Sequence, residues 1–565
     1  MNAPEQLDVL PDVYSNWLRR VAPDMPDVLQ QAALCLFTAM AEGHVCITVD
    51  PQEFADVTSE WLGRPGDYTP FILDGPRFYL ARYHNHEQAV AASLEQRARL
   101  ACVVNDVDGL KQELARLFKT EISTDRQRLA VLVAQFKPLT LISGGPGTGK
   151  TSTVVNLLAL LLARDPQLRI GLAAPTGKAA QRLVGAIATA KDYLAASVEV
   201  KALIPEAATT LHRLLGALGD TGRFRHHAEN PLALDVLVVD EASMIDLAMM
   251  RAVLAALPMS ARLILLGDKD QLASVEAGSV FGDICAAQGM TEDFLALLAP
   301  FGIAGEAQAN APALGNCRVE LTHSYRFAAD SGIGRLATAA RTGDVDLFMQ
   351  IYETGAADIA WVQSASLHDS RFAALIHAGF GDYLNTVQTD NAAAAFSAFQ
   401  RFRLLCAHRQ GPAGVEGLNR QVQRLLQFGS GQVWYAGRPV MITANDHALR
   451  LFNGDIGLCL PTAQGLRVFF EGEGGVYRAL LPARVPAHET AFAMTVHKSQ
   501  GSEFEQVLLV LPEQQTPVLN RPLIYTAITR AKKQFTLWGM PAVAAAALAS
   551  LPQRESGLRE RLQRP

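Results

Sequence analysis

The sequence predicts an α/β fold, in which two domains with parallel sheets follow a mostly helical N-terminal domain. Two patterns predict it. From about residue 120 onward, short apolar runs of the strand type alternate with longer runs of helical spacing, which is typical of parallel sheets. Within residues 432–485 the runs are short and separated by glycine-containing turns, which favours a small β-barrel-like insertion. We therefore expect domains at 1–115, 116–330 and 331–565.

The composition predicts a multidomain protein of a reducing compartment. A chain of 565 residues suggests about three to four domains, and 49% hydrophobic residues suffice for large cores. No apolar run reaches the roughly 18 residues that a membrane span needs. Asp8, Asp12, Asp24 and Asp27 stand where a secretory signal would be basic and then apolar. The seven cysteines never form a C-x-x-C pair, so we expect buried thiols, no metal cluster and a cytoplasmic location.

The charge is unevenly distributed along the chain. The net charge is −6, and residues 1–60 alone hold ten acidic residues against two arginines, a net of −8 that leaves +2 for the rest. Because an acidic segment repels a phosphate backbone, we interpret it as a surface for protein contact or simply as solvated surface. Overall charge therefore does not reveal a nucleic-acid site.

The pattern of the N-terminal domain predicts helices and strands but no catalytic residues. Helical spacing occurs at 28–40 and 89–104. Two short aromatic runs at 71–73 and 78–80 predict strands joined by a turn at Asp74. No catalytic pattern is visible in this part of the sequence.

An apolar run at 139–143 leads into a glycine-rich loop and then into a long apolar helix pattern. The loop fits G-x-x-x-x-G-K-[ST], in which glycines allow successive backbone N–H groups to point at phosphate oxygens. Lys150 adds a charge for the β- and γ-phosphates, and Thr151 places a hydroxyl for Mg²⁺ at the helix N-terminus. The predicted phosphate-binding residues are Gly144, Gly145, Pro146, Gly147, Thr148, Gly149, Lys150 and Thr151.

Two adjacent carboxylates end a later buried strand pattern. The apolar run at 234–239 leads directly into Asp240 and Glu241. One carboxylate is expected to hold Mg²⁺ through water, and the other to orient or deprotonate the attacking water. An Asp-Glu pair alone is weak evidence, but its position about ninety residues after a phosphate loop makes it strong.

Two glutamines are candidates for contact with the nucleotide. Gln127 lies upstream of the phosphate loop, and its paired donor and acceptor match the edge of an adenine, although it also fits an ordinary surface position. Gln271 follows another buried strand pattern, where it is placed to sense the γ-phosphate. For the neighbouring Asp268 and Asp270 we favour turn chemistry over catalysis.

One further strand pattern and a short amphipathic segment of the same domain carry polar candidates. Pro175, Thr176 and Lys178 come directly after a strand pattern at 169–174, and the carboxyl ends of parallel strands are where ligands bind. His212 lies in a short amphipathic segment. For this histidine a capping or core position stays open beside contact with nucleic acid.

Two arginines are further candidates, one near the end of the expected domain 116–330 and one in the expected domain 331–565. Arg326 follows a strand pattern at 319–321, where a guanidinium can neutralise charge on a transferring phosphoryl group. Arg530 lies near the end of a helix pattern. The segment 288–316 predicts irregular structure, and 331–402 predicts helices without visible chemistry.

These motifs, in order from Gln127 to Arg530, resemble those of superfamily 1 helicases. Four segments are more similar still to the RecD subunits of bacterial exodeoxyribonuclease V, the RecBCD complex: 237–246, 267–278, 451–457 and 525–532. Residues 78–83 resemble the docking domain of that family. Stand-alone RecD-like helicases carry a longer N-terminal extension with helix-hairpin-helix elements, which this sequence does not contain, and this favours the complex-bound subunit.

The resemblance implies two RecA-like P-loop motor domains that bind ATP and Mg²⁺, the metal through Thr151 and Asp240. It implies that Gln127 reads adenine and that Glu503 touches the ribose. The implied catalytic residues are Lys150, Asp240, Glu241, Gln271, Arg326 and Arg530. The implied contacts to single-stranded DNA are Pro175, Thr176, Lys178, His212, Thr495, His497, Lys498 and Ser499.

The resemblance also implies an ATP-dependent 5′ to 3′ DNA helicase. It would act on duplex ends in a heterotrimer with RecB-like and RecC-like subunits, during double-strand break repair and recombination. Two alternatives stay open, a stand-alone DNA helicase such as a Pif-type motor and a regulatory ATPase of a DNA-processing complex. No cluster of acids and lysine with nuclease spacing is visible, so we expect the nuclease in another subunit.

Overall fold

The structure is a computed structural model whose chain forms two compact units. It describes residues 13–118, 125–219, 222–327, 331–389, 391–428, 432–446, 448–472 and 475–563. Unit 1 comprises Met1–Tyr325 and Gln553–Pro565, and unit 2 comprises Arg326–Pro552. The sequence pattern also predicts a helix that starts at Thr124, and this residue, like the acidic Asp8 and Asp12, lies outside the described residues. No described helix is both long and apolar enough to cross a membrane.

Unit 1 contains two sheets and most of the helices. Its strands are β1 (Cys46–Thr48), β2 (Leu62–Gly63), β3 (Phe71–Asp74), β4 (Arg77–Leu80), β5 (Leu139–Gly144), β6 (Ile170–Ala174), β7 (Thr209–Thr210), β8 (Val236–Val239), β9 (Arg262–Gly267) and β10 (Arg318–Leu321). Its helices are residues 13–21, Asp27–Ala41, Ala81–Arg99, Val107–Leu117, Asp125–Phe136, Lys150–Arg164, Gly177–Tyr193, Val198–Leu203, Leu211–Leu215, Leu247–Ala256, Val280–Cys285, Glu292–Leu298 and Leu558–Leu562.

The central sheet of unit 1 is parallel and has six strands in the order β10-β5-β9-β8-β6-β7. Its inner strands β5, β8 and β9 are buried on both faces. In β8, Leu237 and Val239 join one core with the helix Leu247–Ala256, and Val236 and Val238 join a second core with the helix Lys150–Arg164. This two-sided burial explains why the strands read as continuous apolar runs in the sequence.

The N-terminal part of unit 1 forms a small sheet of order β1-β4-β3-β2, in which β3 and β4 are the predicted hairpin. The helix Ala81–Arg99 leads from this sheet into the main body of the unit. Its buried Val90 and Leu94 belong to the same core as Leu141 and Leu263 of the central sheet. The expected N-terminal domain therefore shares a hydrophobic core with the following domain.

The last residues of the chain also pack in unit 1. Leu558 and Leu562 are buried in the core that contains Val90 and Leu94. The sequence placed residues 331–565 in one domain, whereas the structure groups Gln553–Pro565 with unit 1. The terminal segment is polar apart from two leucines, and such a pattern does not indicate which distant core the leucines join. The sequence therefore could not predict that this segment packs in unit 1.

Unit 2 contains a parallel sheet and an antiparallel sheet. Its strands are β11 (Ile359–Val362), β12 (Phe402–Cys406), β13 (Arg438–Ile442), β14 (Ile456–Thr462), β15 (Gly465–Glu471), β16 (Tyr477–Leu480), β17 (His488–Thr490), β18 (Ala493–Thr495), β19 (Phe504–Val510) and β20 (Ala531–Trp538). Its helices are Gly332–Thr342, Val345–Glu353, Ser370–Val387, Ala392–Arg401, Val415–Leu425, Arg521–Ile528 and Pro541–Ala549.

The parallel sheet of unit 2 has the order β11-β20-β19-β12-β18. The edge strand β11 lies within the segment that was expected to be helical, because four apolar residues between two helices do not distinguish a strand from a helix. The insertion forms an antiparallel sheet of order β16-β15-β14-β13-β17 with its own small core, which includes Val440, Val468 and Phe470. In unit 1, the segment expected to be irregular contains the helix Glu292–Leu298.

Candidate active site

The phosphate loop follows the buried strand β5 and has the geometry that its sequence predicts. Gly147 and Gly149 have φ values of 77° and 81°, in the left-handed region that favours glycine. The helix Lys150–Arg164 begins immediately after them. The Nζ atom of Lys150 donates to the carbonyl oxygens of Gly144 at 2.6 Å and Gly145 at 3.1 Å. The ammonium group is thereby held within the loop.

Gln127 packs directly against this loop. Its Nε2 atom donates to the carbonyl of Thr148 at 3.2 Å, and its side chain is buried. A Cβ atom added at Gly149 would lie 2.3 Å from that Nε2 atom, so the position accommodates only glycine without a shift. The backbone N–H of Tyr325 donates to the carbonyl of Gly147 at 2.8 Å. The loop is therefore supported from both sides.

Asp240 and Glu241 follow strand β8. Asp240 is tied to the neighbouring strand by a bond from its N–H to the carbonyl of Ala173 at 2.9 Å. Burial, and then the charge of Glu241, raise the pKa of Asp240, while the charge of Lys150 lowers it. Glu241 has a φ of 54°, which costs a non-glycine residue about 1 kcal/mol. Its carboxylate lies 3.6 Å from Arg182.

Gln271 is held by Asp268. The Nε2 atom of Gln271 donates to the carboxylate of Asp268 at 2.9 Å, and the N–H of Asp270 donates to the same carboxylate at 3.1 Å. Burial raises the pKa of Asp268, and the charge of Lys150 opposes this shift. The turn chemistry expected for Asp268 is present. Nothing in the sequence indicates that Asp268 also orients Gln271, or that Arg182 contacts Glu241.

The strand order of the central sheet arranges these loops along one edge. Since all six strands are parallel, their carboxyl ends share that edge. Moving from β5 to β7, the edge carries Lys150, then Gln271, then Asp240, then Thr176 and finally His212. The nucleotide candidates and the DNA candidates of unit 1 are thus neighbouring groups on one surface.

The DNA candidates of unit 1 lie at the ends of β6 and β7, whose residues Ala174 and Thr210 are paired. Thr176 begins the helix Gly177–Tyr193, and its Oγ1 accepts a hydrogen bond from the N–H of Ala179 at 3.2 Å. His212 is exposed beside Phe224, with ring centroids 6.1 Å apart, and neither caps the helix nor enters a core. Exposure leaves its imidazole available for contact.

The nucleotide candidates of unit 2 gather at the amino edge of its parallel sheet. The guanidinium of Arg326 pairs with Glu503 at 2.6 Å, and Glu503 also lies 3.4 Å from Lys532. Phe504 and Ala531, the first residues of β19 and β20, are paired, which brings Glu503 and Arg530 to the same edge.

Arg530 lies two residues beyond the helix Arg521–Ile528, although the sequence placed it within a helix pattern. Its side chain is 1% exposed. Its Nε and Nη1 atoms donate to the carbonyls of Thr526 at 3.3 Å and Ser502 at 3.0 Å.

The DNA candidates of unit 2 lie at the opposite, carboxyl edge. Thr495 ends β18 and is paired with the last residue of β12. Lys498 is exposed, and its Nζ atom donates to Asn453 of the insertion at 2.7 Å. Although the residue reaches the surface, partial burial of its ammonium group lowers the pKa of Lys498. Ser499 is fully buried and donates to the carbonyl of Val496 at 2.6 Å, so here it shapes the loop instead of lining a surface.

The described residues contain no group of three or more His, Cys, Asp or Glu side chains that could hold a metal ion by themselves. Thr151 of the phosphate loop offers a hydroxyl and Asp240 after β8 offers a carboxylate, and both are oxygen ligands of the kind that Mg²⁺ prefers. Their small number fits an ion that keeps several waters and binds phosphate oxygens.

Two family models and a solved structure are similar to parts of this chain. The "AAA domain" family matches residues 127–277, and the "UvrD-like helicase C-terminal domain" family matches residues 490–538. A crystal structure of Pif1 helicase from Bacteroides in complex with ADP-AlF3 and ssDNA has a TM-score of 0.41 and 17% identity, covering 77% of this chain and 95% of that chain.

Two relatives match over much longer stretches than these families. The ATP-dependent RecD2 DNA helicase of Deinococcus radiodurans is 34% identical over 431 residues, which cover 74% of this chain and 49% of that protein. The RecBCD enzyme subunit RecD of Mycolicibacterium smegmatis is 39% identical over 581 residues, which cover 98% of this chain and 97% of that protein. With this identity along nearly the whole length of both proteins, the chain belongs to the family of RecBCD enzyme subunits RecD.

Proposed function

We propose that this chain is the 5′ to 3′ helicase subunit of a RecBCD-type helicase-nuclease complex, with RecB-like and RecC-like partners, acting on DNA ends in double-strand break repair and recombination. As a RecD, it is an ATP-dependent DNA helicase. The observation that carries the proposal is the single sheet edge on which Lys150, Gln271 and Asp240 are followed by Thr176 and His212. A change at the nucleotide can pass along this edge to the DNA loops.

The chain's own groups supply most of the chemistry. Lys150 neutralises the β- and γ-phosphates, and the N–H groups of the loop donate hydrogen bonds to their oxygens. Glu241, held near Arg182, orients and deprotonates the attacking water. Gln271 contacts the γ-phosphate from the position that Asp268 fixes. Arg326 and Arg530 stabilise the negative charge of the transition state.

Mg²⁺ would be held by Thr151 and Asp240. When bound, it offsets negative charge on the phosphate oxygens. The raised pKa of Asp240 supports this assignment, because a cation nearby relieves the cost of a buried carboxylate.

The first test is the ATPase rate of the purified chain, with and without single-stranded DNA, followed by unwinding of duplexes with 5′ or 3′ tails. We expect stimulation by DNA and unwinding from the 5′ tail only. Lys150→Ala should abolish the DNA-stimulated ATPase rate, because no other described side chain of the loop carries a positive charge. Hydrolysis that ignores DNA, in the chain and in its co-purified complex, would refute the helicase assignment.

The partner-docking role rests on the N-terminal part of unit 1. The helix at 13–21 exposes Val13, Trp17 and Val21 at spacings of four residues, so they form one apolar stripe on its surface. Such a stripe suits burial against a partner subunit in the cytoplasm. Deleting residues 1–115 would remove part of the shared core, so a surface substitution is the better test.

Trp17→Glu should weaken co-purification with the partner subunits while leaving the ATPase rate of the isolated chain unchanged. Tyr68→Glu is the matched control, because Tyr68 is an exposed aromatic residue outside the stripe. If the chain still assembles with its partner subunits after Trp17→Glu and after double substitution of Val13 and Val21, this stripe is not the docking surface.

A further inference from the structure

The C-terminal segment reaches the loop that follows Gln271. The Nη1 atom of Arg554 donates to three backbone carbonyls of that loop, those of Ser274 at 2.7 Å, Glu276 at 3.1 Å and Gly278 at 2.9 Å. One nitrogen carries two protons, so the three contacts share them. A single side chain therefore gathers three carbonyls that are spread over five residues.

The loop alone can satisfy only part of these acceptors. The hydroxyl of Ser274 lies 3.0 Å from the carbonyl of Glu276 and 3.2 Å from that of Gly278, but it has one proton to give. Without Arg554, at least one of the carbonyls loses its donor. The guanidinium thus completes the hydrogen bonding of a loop that begins three residues after Gln271.

Arg554 is also held by residues of the N-terminal part of the chain. Arg554 packs against Gly43, where an added Cβ would lie 2.7 Å from its Cζ atom, and the N–H of Gly278 donates to the carbonyl of Gly43 at 3.0 Å. The next residue, Glu555, accepts from Val45 N–H at 2.9 Å. The guanidinium is consequently fixed between the N-terminal sheet and the loop.

Further along, the segment is anchored at two acidic residues, the buried Glu87 and the half-buried Asp74. The hydroxyl of Ser556 donates to Glu87 at 2.7 Å, and the N–H of Gly557 donates to the same carboxylate at 3.0 Å. Arg561 pairs with Asp74. These contacts hold the C-terminal segment at residues outside the loop that Arg554 contacts.

We propose that Arg554 is a positioning residue for ATP hydrolysis, which acts by holding residues 274–278 so that Gln271 keeps its place for the γ-phosphate. The inference rests on the proposed function, in which Gln271 senses that phosphate. Gln271 is buried, and its Nε2 atom already bonds to Asp268, so its remaining freedom is the movement of the backbone that follows it. Arg554 limits that movement.

The test compares Arg554→Ala, Arg554→Lys and Arg559→Ala in the full chain with saturating single-stranded DNA. We expect Arg554→Ala to lower kcat about fivefold or more with KM for ATP changed less than about twofold, as for an interaction used mainly in the transition state. Arg554→Lys should recover part of the rate, since an ammonium can still donate to carbonyls. Arg559 is exposed on the same segment, so Arg559→Ala should match the wild type.

A double-mutant cycle with Gln271→Ala separates positioning from general destabilisation. If Arg554 acts through Gln271, adding Arg554→Ala to Gln271→Ala should cause almost no further loss of kcat. An equal loss in both backgrounds, or an unchanged kcat in Arg554→Ala, would overturn the inference.

Hydrogen exchange provides a readout that does not depend on catalysis. The amides of residues 274–280 should exchange faster in Arg554→Ala and in Arg554→Lys than in the wild type. Unchanged exchange there would also overturn the inference. Absence of ATP hydrolysis in the wild-type chain and its complex would instead refute the proposed function, which keeps the two failures distinct.

Discussion

Gly149 and Gln127 offer a quantitative test of how the phosphate loop is built. Gly149→Ala places a methyl group on a residue with a φ of 81° and 2.3 Å from the Nε2 atom of Gln127. The left-handed conformation costs alanine about 1 kcal/mol. Displacing Gln127 breaks its hydrogen bond to Thr148, worth about 1 kcal/mol more. We therefore expect a loss of about 2 kcal/mol in the free energy of unfolding of unit 1.

The same reasoning predicts that the two positions are coupled. In a Gln127→Ala background the amide is already gone, so Gly149→Ala should cost only the backbone strain, about 1 kcal/mol. The assay is denaturant unfolding of the four variants of this cycle, together with ATP binding. Gly185→Ala is the control, because Gly185 lies in a helix with open space around its Cβ position. Additive losses in the cycle would refute the predicted contact.

Three further predictions concern other parts of the chain. Arg530→Lys should lower kcat about tenfold, or about 1.4 kcal/mol, with KM for ATP nearly unchanged. Lys533→Ala, which removes an exposed ion pair, should leave kcat unchanged. A raised KM with intact kcat in Arg530→Lys would contradict this role. Arg97→Met should cost about 3 kcal/mol in unfolding experiments, because it leaves the carbonyls of Leu257, Pro258 and Ala261 without their donor, and the exposed Arg99→Met is the control. Burial raises the pKa of Asp283 to about 7, so the folded state holds its proton more tightly and the free energy of unfolding should fall as pH rises from about 4 to 7. Asp283→Asn should remove up to about 4 kcal/mol of that pH dependence. Parallel profiles of unfolding free energy against pH for the two proteins would contradict this prediction.

The sequence predicted those parts of the molecule whose chemistry is local. The phosphate loop follows from glycine, lysine and threonine at fixed spacing, and strands such as β8 follow from continuous apolar runs, because each signal is contained within a few residues. The position of Gln127 against the loop, in contrast, depends on packing between segments that are separated along the chain. It was predicted as a nucleotide contact, and that role stays a proposal.

The parts that could not be predicted depend on long-range contacts. Nothing near Arg554 in the sequence indicates that its guanidinium meets carbonyls about 280 residues upstream. The burial of Ser499 and Arg530 also escapes a linear pattern, since both are polar residues whose partners are backbone carbonyls. Every residue has a backbone carbonyl, so the sequence does not indicate which carbonyl a polar side chain will bond to.

The two parallel sheets differ in how far their functional loops are separated. In unit 1, neighbouring strands lie about 4.8 Å apart, so the three steps from β5 to β6 separate the loops by about 15 Å along one edge. In unit 2, Glu503 and Thr495 lie at opposite ends of parallel strands, a separation set by the length of seven-residue β19, about 23 Å. In unit 2 the two groups of candidate residues are therefore separated by the length of the strands, whereas in unit 1 they lie on adjacent loops of one edge.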